Sequence, residues 1–106
     1  MNKMKPLTES MYYILLSLSK VLHGYGIIKK VEEMSSGRVV LAPGTLYGAL
    51  TNLENNKLIE AVGIDPDNPR RKLYQITTMG VDVLKLEITR LEEMVRNGRE
   101  VYHDEG

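Results

Sequence analysis

Two adjacent segments constrain this chain more than any other feature: PGTLYGALTNLENNKLIE at 43–60 and RRKLYQIT at 70–77. The first predicts a helix that leads into a strand, and the second predicts a returning strand. Between them, DPDNP at 65–69 is a dense turn signal. The segments therefore predict a helix beside a hairpin that carries cations. This arrangement suits duplex DNA, because a helix fits the major groove and cations can bind the neighbouring phosphates.

The predicted helix from Pro43 to about Asn55 has two contrasting faces. Its apolar face should be buried and consists of Leu46, Ala49, Leu50 and Leu53. Small and hydroxyl-bearing residues occupy the opposite face and its flanks, so the helix can approach a surface closely. We therefore predict DNA contacts from Gly44, Thr45, Tyr47, Gly48 and Thr51. Tyr47 lies between the two faces, so burial in the core is its alternative role.

The second predicted contact is the basic run Arg70, Arg71 and Lys72. Such a run is usually a solvated turn, but here it follows a hairpin turn that comes after a helix suited to the groove. Net charge is zero over the whole chain, yet residues 1–79 carry 10 Lys/Arg and 7 Asp/Glu, whereas residues 80–106 carry 4 and 7. The net charge is therefore +3 for residues 1–79 and −3 for residues 80–106. This difference favours DNA contact through residues 1–79, because affinity depends on where cations meet phosphates.

The remaining pattern predicts a fold that is mostly α with a small β-hairpin. Before the segments above, it predicts a helix from a Thr8 cap to about Val21, a helix from Gly24 to Ser35, and a brief strand from Arg38 to Leu41. Strands at Leu58–Ile64 and Arg71–Thr77, with Leu73 and Ile76 as apolar residues, then precede a last helix of roughly 20 residues capped by Thr78. This is the order of a winged helix-turn-helix, 1–77, followed by a long C-terminal dimerisation helix and tail, 78–106, as one structural unit.

The last helix carries an apolar seam with alternating steps of three and four, which predicts self-association. The seam consists of Val81, Leu84, Ile88, Leu91 and Val95. A small domain would struggle to cover this seam and the other apolar residues of the helix, so we predict a homodimer. The alternative is that the whole helix folds back on its own core.

Several classes of function find no support in the sequence. There is no Cys, so disulfides and thiolate metal sites are excluded. The two histidines, His23 and His103, lack zinc-ligand spacing, and no constellation supports catalysis. We therefore predict no enzyme, no metal and no cofactor. No apolar run approaches the ~18 residues of a membrane span, and a signal-peptide pattern is missing, so we expect a cytoplasmic protein.

Four motifs resemble the PadR family of transcriptional regulators: HGYGI at 23–27, PGTLYGALTNLE at 43–54, NKLI at 56–59 and RRKLYQITTMG at 70–80. The resemblance covers about 7–95 and implies a homodimeric repressor that binds a palindromic operator. It places helix contacts on Thr45 and Tyr47, and wing contacts on Arg71 and Lys72. The chain departs from the family pattern at Gly48, where many members have proline, and at Leu73, where an aromatic residue is common.

Two alternatives to a DNA-binding repressor stay open. The first is a regulator that senses a small aromatic effector at the dimer interface, although some short members of the family use a tryptophan for such a ligand and this chain has no Trp. The second is a winged helix that binds proteins only, which should expose an apolar patch instead of a basic one.

Overall fold

The computed structural model describes residues 5–102, so His103 lies outside the described residues. Its elements are α1 (Glu9–Ser17), α2 (Gly24–Met34), α3 (Pro43–Asn55), β1 (Ile59–Asp65), β2 (Asn68–Ile76) and α4 (Thr78–Val101). The two strands pair antiparallel as one hairpin, which we call the wing. The prediction of a mostly α fold with a small hairpin and a long C-terminal helix is confirmed.

The starts of α1 and α2 follow from side-chain caps. Thr8 Oγ1 accepts a hydrogen bond from Met11 N at 3.1 Å, and His23 Nδ1 accepts one from Gly26 N at 3.3 Å. α3 begins instead with Pro43, whose fixed φ and missing N–H suit a first helical position.

The cap of α4 is Thr77, and the prediction of Thr78 is wrong by one residue. Thr77 is extended, with φ −89° and ψ 170°, and its Oγ1 accepts from Gly80 N at 3.0 Å. The same hydroxyl donates to Lys57 O at 2.8 Å, so the cap also ties the start of α4 to the turn after α3.

Two predictions about the chain before the wing are wrong, namely the end of α1 and the strand at 38–41. α1 ends at Ser17 and not near Val21, because the chain after it turns toward the wing. There, Ile76 N donates a hydrogen bond to Leu18 O at 3.0 Å, and the backbones of Leu22 and Tyr74 exchange hydrogen bonds of 3.1 and 2.9 Å. Leu22 thereby occupies the free edge of β2. With Leu22 on the edge of β2, the segment predicted as a strand at 38–41 joins neither strand of the wing and is irregular.

The turn of the wing is tighter than the sequence predicts. Asp65 and Asn68 already pair across the strands, so only Pro66 and Asp67 form the turn. Asp65 Oδ1 accepts from Asp67 N at 2.9 Å and supports this turn. Ile64 pairs with Lys72, so residues 69–71 form a bulge on β2 that holds two of the three basic residues.

The core lies among the first three helices and is closed by the wing and α4. Its buried apolar residues are Ile14, Leu15, Leu18, Ile27, Val31, Val39, Leu41, Leu46, Leu50, Leu53, Ile59, Tyr74 and Leu84. Because α3 supplies three of these side chains from one face, the core determines which face of α3 points outward.

Candidate nucleic-acid interface

The outward face of α3 is open, as its sequence predicts. Gly44, Thr45, Tyr47, Gly48 and Thr51 are all exposed. A Cβ atom added at Gly44 or at Gly48 would meet no other described group within 4 Å. The helix backbone can therefore come close to a flat or grooved partner at these two positions.

Tyr47 is not a core residue, because 51% of it is exposed. Its ring lies against the first turn of α2, where a Cβ added at Gly24 would come within 2.6 Å of the Tyr47 hydroxyl oxygen. Glycine at position 24 thus leaves the space that this ring occupies. The hydroxyl therefore lies at the contact between α2 and α3.

Thr51 has a more restricted chemistry than the sequence suggests. Its hydroxyl donates to Tyr47 O at 3.0 Å, one turn earlier in α3. The donor is used inside the helix, so the oxygen lone pairs and the methyl group are what Thr51 offers to a partner.

The three basic residues of the wing are exposed, and two of them, Arg71 and Lys72, have local side-chain partners. Arg71 Nη1 lies 3.7 Å from Asp65 Oδ2, and Lys72 Nζ lies 5.7 Å from the centroid of the Tyr74 ring. The Arg71 side chain is 45% exposed, and a surface ion pair of this length stabilises by only ~0–1 kcal/mol. Both cations can therefore move to a phosphate at little energetic cost.

Tyr74 connects the wing to α3, a role that the sequence analysis missed. Burial raises the pKa of its hydroxyl, and the nearby Glu54 carboxylate and Tyr47 add to this effect. Tyr74 is thus a core residue of the wing that lies near Glu54 and Tyr47 of α3 and near Lys72 of the wing. Tyr74 lies two residues before Ile76, so both side chains are on the same face of β2. The alternation of faces along a strand could therefore have identified Tyr74 as a core residue from the sequence.

The predicted dimer seam divides in the structure. Leu84 belongs to the core of its own chain, and Val81 and Leu91 are half-buried. Ile88 and Val95 remain 37% and 55% exposed. Together with Tyr12 they line an open cleft of about 720 Å³ between α1 and α4.

Glu87 is a second residue that the sequence analysis missed. It is only 4% exposed, and its carboxylate accepts from Leu7 N at 2.9 Å and from Arg90 at 2.9 and 2.7 Å. These hydrogen bonds, chiefly that from Arg90, hold the pKa of the Glu87 carboxyl below its usual range although burial opposes them. The i, i+3 spacing of Glu87 and Arg90 could have indicated this ion pair from the sequence. The hydrogen bond from Leu7 could not be predicted in this way, because Leu7 is 80 positions away.

Other kinds of site find no support between residues 5 and 102. No group of three or more His, Asp or Glu could hold a metal ion there. Within the same range, no helix combines the length and apolar character that crossing a membrane requires.

Comparison with known proteins identifies the family. The sequence profile of the transcriptional regulator PadR-like family matches residues 11–86. A curated relative, the uncharacterized 37.1 kDa protein in transposon TN4556 of Streptomyces fradiae, is 36% identical over 66 residues, which are 62% of this chain. This chain spans only 18% of the length of that relative.

Solved structures show the same fold. The PadR-like transcriptional regulator from Bacillus cereus strain ATCC 14579 has a TM-score of 0.73 at 24% identity. The alignment covers 90% of this chain and 92% of the Bacillus cereus chain. A PadR-like transcription factor from Bacteroides fragilis has a TM-score of 0.71 at 26% identity, with 87% of each chain covered. Since the family profile runs from α1 through the wing and into α4, this chain belongs to the PadR-like family of transcriptional regulators.

Proposed function

We propose that this protein is a sequence-specific, homodimeric DNA-binding repressor that binds a palindromic operator in the cytoplasm. The observation that carries the proposal is the open face of α3 beside an exposed basic wing. A helix and an adjacent group of cations are the two components that groove reading and phosphate binding require.

In this mechanism, α3 of each subunit enters a major groove. Gly44 and Gly48 allow the helix backbone to approach the base edges, and Thr45 and Tyr47 supply hydroxyl groups that discriminate among them. Arg71 and Lys72, together with Arg70, bind the flanking backbone.

The dimer follows from the exposed apolar surface of α4. From position 92 onward every described residue of α4 is exposed, so this end of the helix extends beyond its own core. A two-fold partner that packs on Ile88, Leu91 and Val95 would cover the cleft beside Tyr12. The distance between the two α3 helices would then set the spacing of half-sites at about one helical turn of DNA or a multiple.

Selection of bound duplexes from a random pool tests the proposal. We expect enrichment of one half-site, repeated as a palindrome at a fixed spacing. The variants Thr45→Ala and Tyr47→Ala should lose roughly 1–3 kcal/mol on the enriched duplex and less on random DNA. A pool without enrichment would contradict sequence-specific binding, and a single unrepeated half-site would contradict the dimer.

A ligand-sensing regulator is the second candidate, and the cleft between α1 and α4 favours it. Because Ile88, Leu91 and Val95 of the proposed dimer surface also line this cleft, a planar aromatic ligand there would alter how the subunits pack and so the spacing of the α3 helices. Operator affinity measured with and without a panel of planar aromatic compounds distinguishes this candidate from a repressor without an effector. A winged helix that binds only proteins would show no salt-dependent affinity for any duplex.

A further inference from the structure

We infer that Tyr25, in the first turn of α2, and Lys29, one turn further along, form a second contact with DNA phosphates, separate from the wing. The inference rests on the proposed DNA-binding function and gives a role to two residues that are absent from the predicted DNA contacts on α3 and the wing. The occupant is the sugar–phosphate backbone of the duplex whose major groove receives α3.

Tyr25 is exposed and contacts two neighbouring side chains. It is 61% exposed, which is high for a large aromatic residue. Its ring stacks on that of His23, with centroids 6.5 Å apart and planes 8° from parallel, and Lys29 Nζ lies 5.7 Å from its centroid. The imidazole of His23 is itself held by the hydrogen bond from Gly26 N that caps α2. The phenol is therefore supported on one side by a ring and on another by a cation, so little conformational entropy is lost when it binds.

The pair adjoins the open face of α3. Gly24, the residue before Tyr25, is the one against which the Tyr47 ring packs. Leu22, two residues earlier, bonds to Tyr74, above which Lys72 of the wing lies. The start of α2 therefore adjoins both Tyr47 and the wing, and a duplex that contacts Tyr47 would lie next to it.

The charges of α2 have the sign that a phosphate requires at this end. Lys29 and Lys30 precede Glu32 and Glu33, so the cations lie nearer the first turn and the carboxylates nearer the end of the helix. Within residues 5–102, Lys29 forms no ion pair with any carboxylate. Its ammonium is thus available to a phosphate, and the Tyr25 hydroxyl can donate a hydrogen bond to the same backbone.

Salt titrations on two duplexes test the inference, with the enriched operator and a random duplex as probes. Lys29→Gln removes one phosphate contact per subunit, so the log–log salt slope should fall by about 1.8 for a dimer, at about 0.9 for each contact. Tyr25→Phe keeps the ring and the stack but removes the donor, and should weaken both duplexes by a similar factor of roughly tenfold. The control is Lys85→Gln, the same loss of charge at an exposed position on α4, which should leave the slope unchanged.

Each outcome has one meaning. Unchanged slope and affinity in Lys29→Gln and Tyr25→Phe, with a wild type that binds the operator, would overturn this inference and leave the proposed function intact. A wild type that binds no duplex would overturn both. A loss confined to the operator would also contradict the inference, because backbone contacts act on any sequence. Circular dichroism melts of each variant exclude unfolding, which we do not expect from two exposed residues.

Discussion

Replacing Gly48 by alanine should make the protein more stable and a worse DNA binder. A methyl group at this position meets nothing within 4 Å, so it has no steric cost in the free protein. Alanine is favoured over glycine in a helix interior by about 0.8–1.0 kcal/mol. For a domain of about this size, that gain raises the melting temperature by about 4–8 °C when the protein concentration is held fixed.

The same methyl group should obstruct the groove. If the backbone of α3 packs closely on base edges at Gly48, an added methylene-sized group must displace the helix or the DNA. Overpacking of this kind costs about 1–3 kcal/mol, and each 1.4 kcal/mol is a factor of ten in affinity. Operator affinity, measured by fluorescence anisotropy at one salt concentration, should therefore fall by roughly tenfold per half-site.

Gly98 provides the matched control. It lies in α4, and a Cβ added there also meets nothing within 4 Å. Gly98→Ala should raise the melting temperature without changing operator affinity. If Gly48→Ala raised the melting temperature but bound the operator as tightly as the wild type, close approach of α3 to DNA would be refuted.

Three further outcomes are expected. Arg71→Ala with Lys72→Ala should lower the salt slope on every duplex by about 0.9 for each lost phosphate contact, and an unchanged slope would exclude this role. Ile88→Glu with Val95→Glu places charges at two positions that are exposed in the single chain, so the fold should be retained while the proposed dimer surface on α4 is disrupted. Sedimentation equilibrium should then show a folded monomer, and a persistent dimer would contradict this dimer surface. The pKa of Glu87 lies below its usual range, so its stabilising effect is complete above about pH 4.3 and is lost as the pH falls through the folded value. The difference in melting temperature between wild type and Glu87→Gln should shrink over that window, and a constant difference would contradict a stabilising carboxylate.

The local sequence pattern was sufficient to predict those parts of the candidate DNA-binding site that lie within a single helix or hairpin. The spacing of Leu46, Leu50 and Leu53 identifies the buried face of α3, and so predicts that Gly48 points outward, because 3.6 residues per turn relate the two faces. The turn residues between the strands likewise predict a hairpin near the basic run. These inferences need no knowledge of distant neighbours, and the structure agrees with them.

Tertiary structure alone decided which distant residues meet. The pairing of Leu22 with Tyr74 shortens α1 and takes the edge of β2, although no period in either segment encodes the other. The burial of Glu87 likewise depends on Leu7, 80 positions away, so a carboxylate that looks solvated in sequence becomes a buried link between α4 and the segment before α1. Such contacts arise because packing the core brings backbone donors and acceptors together, and each buried group must then find a partner wherever the fold supplies one.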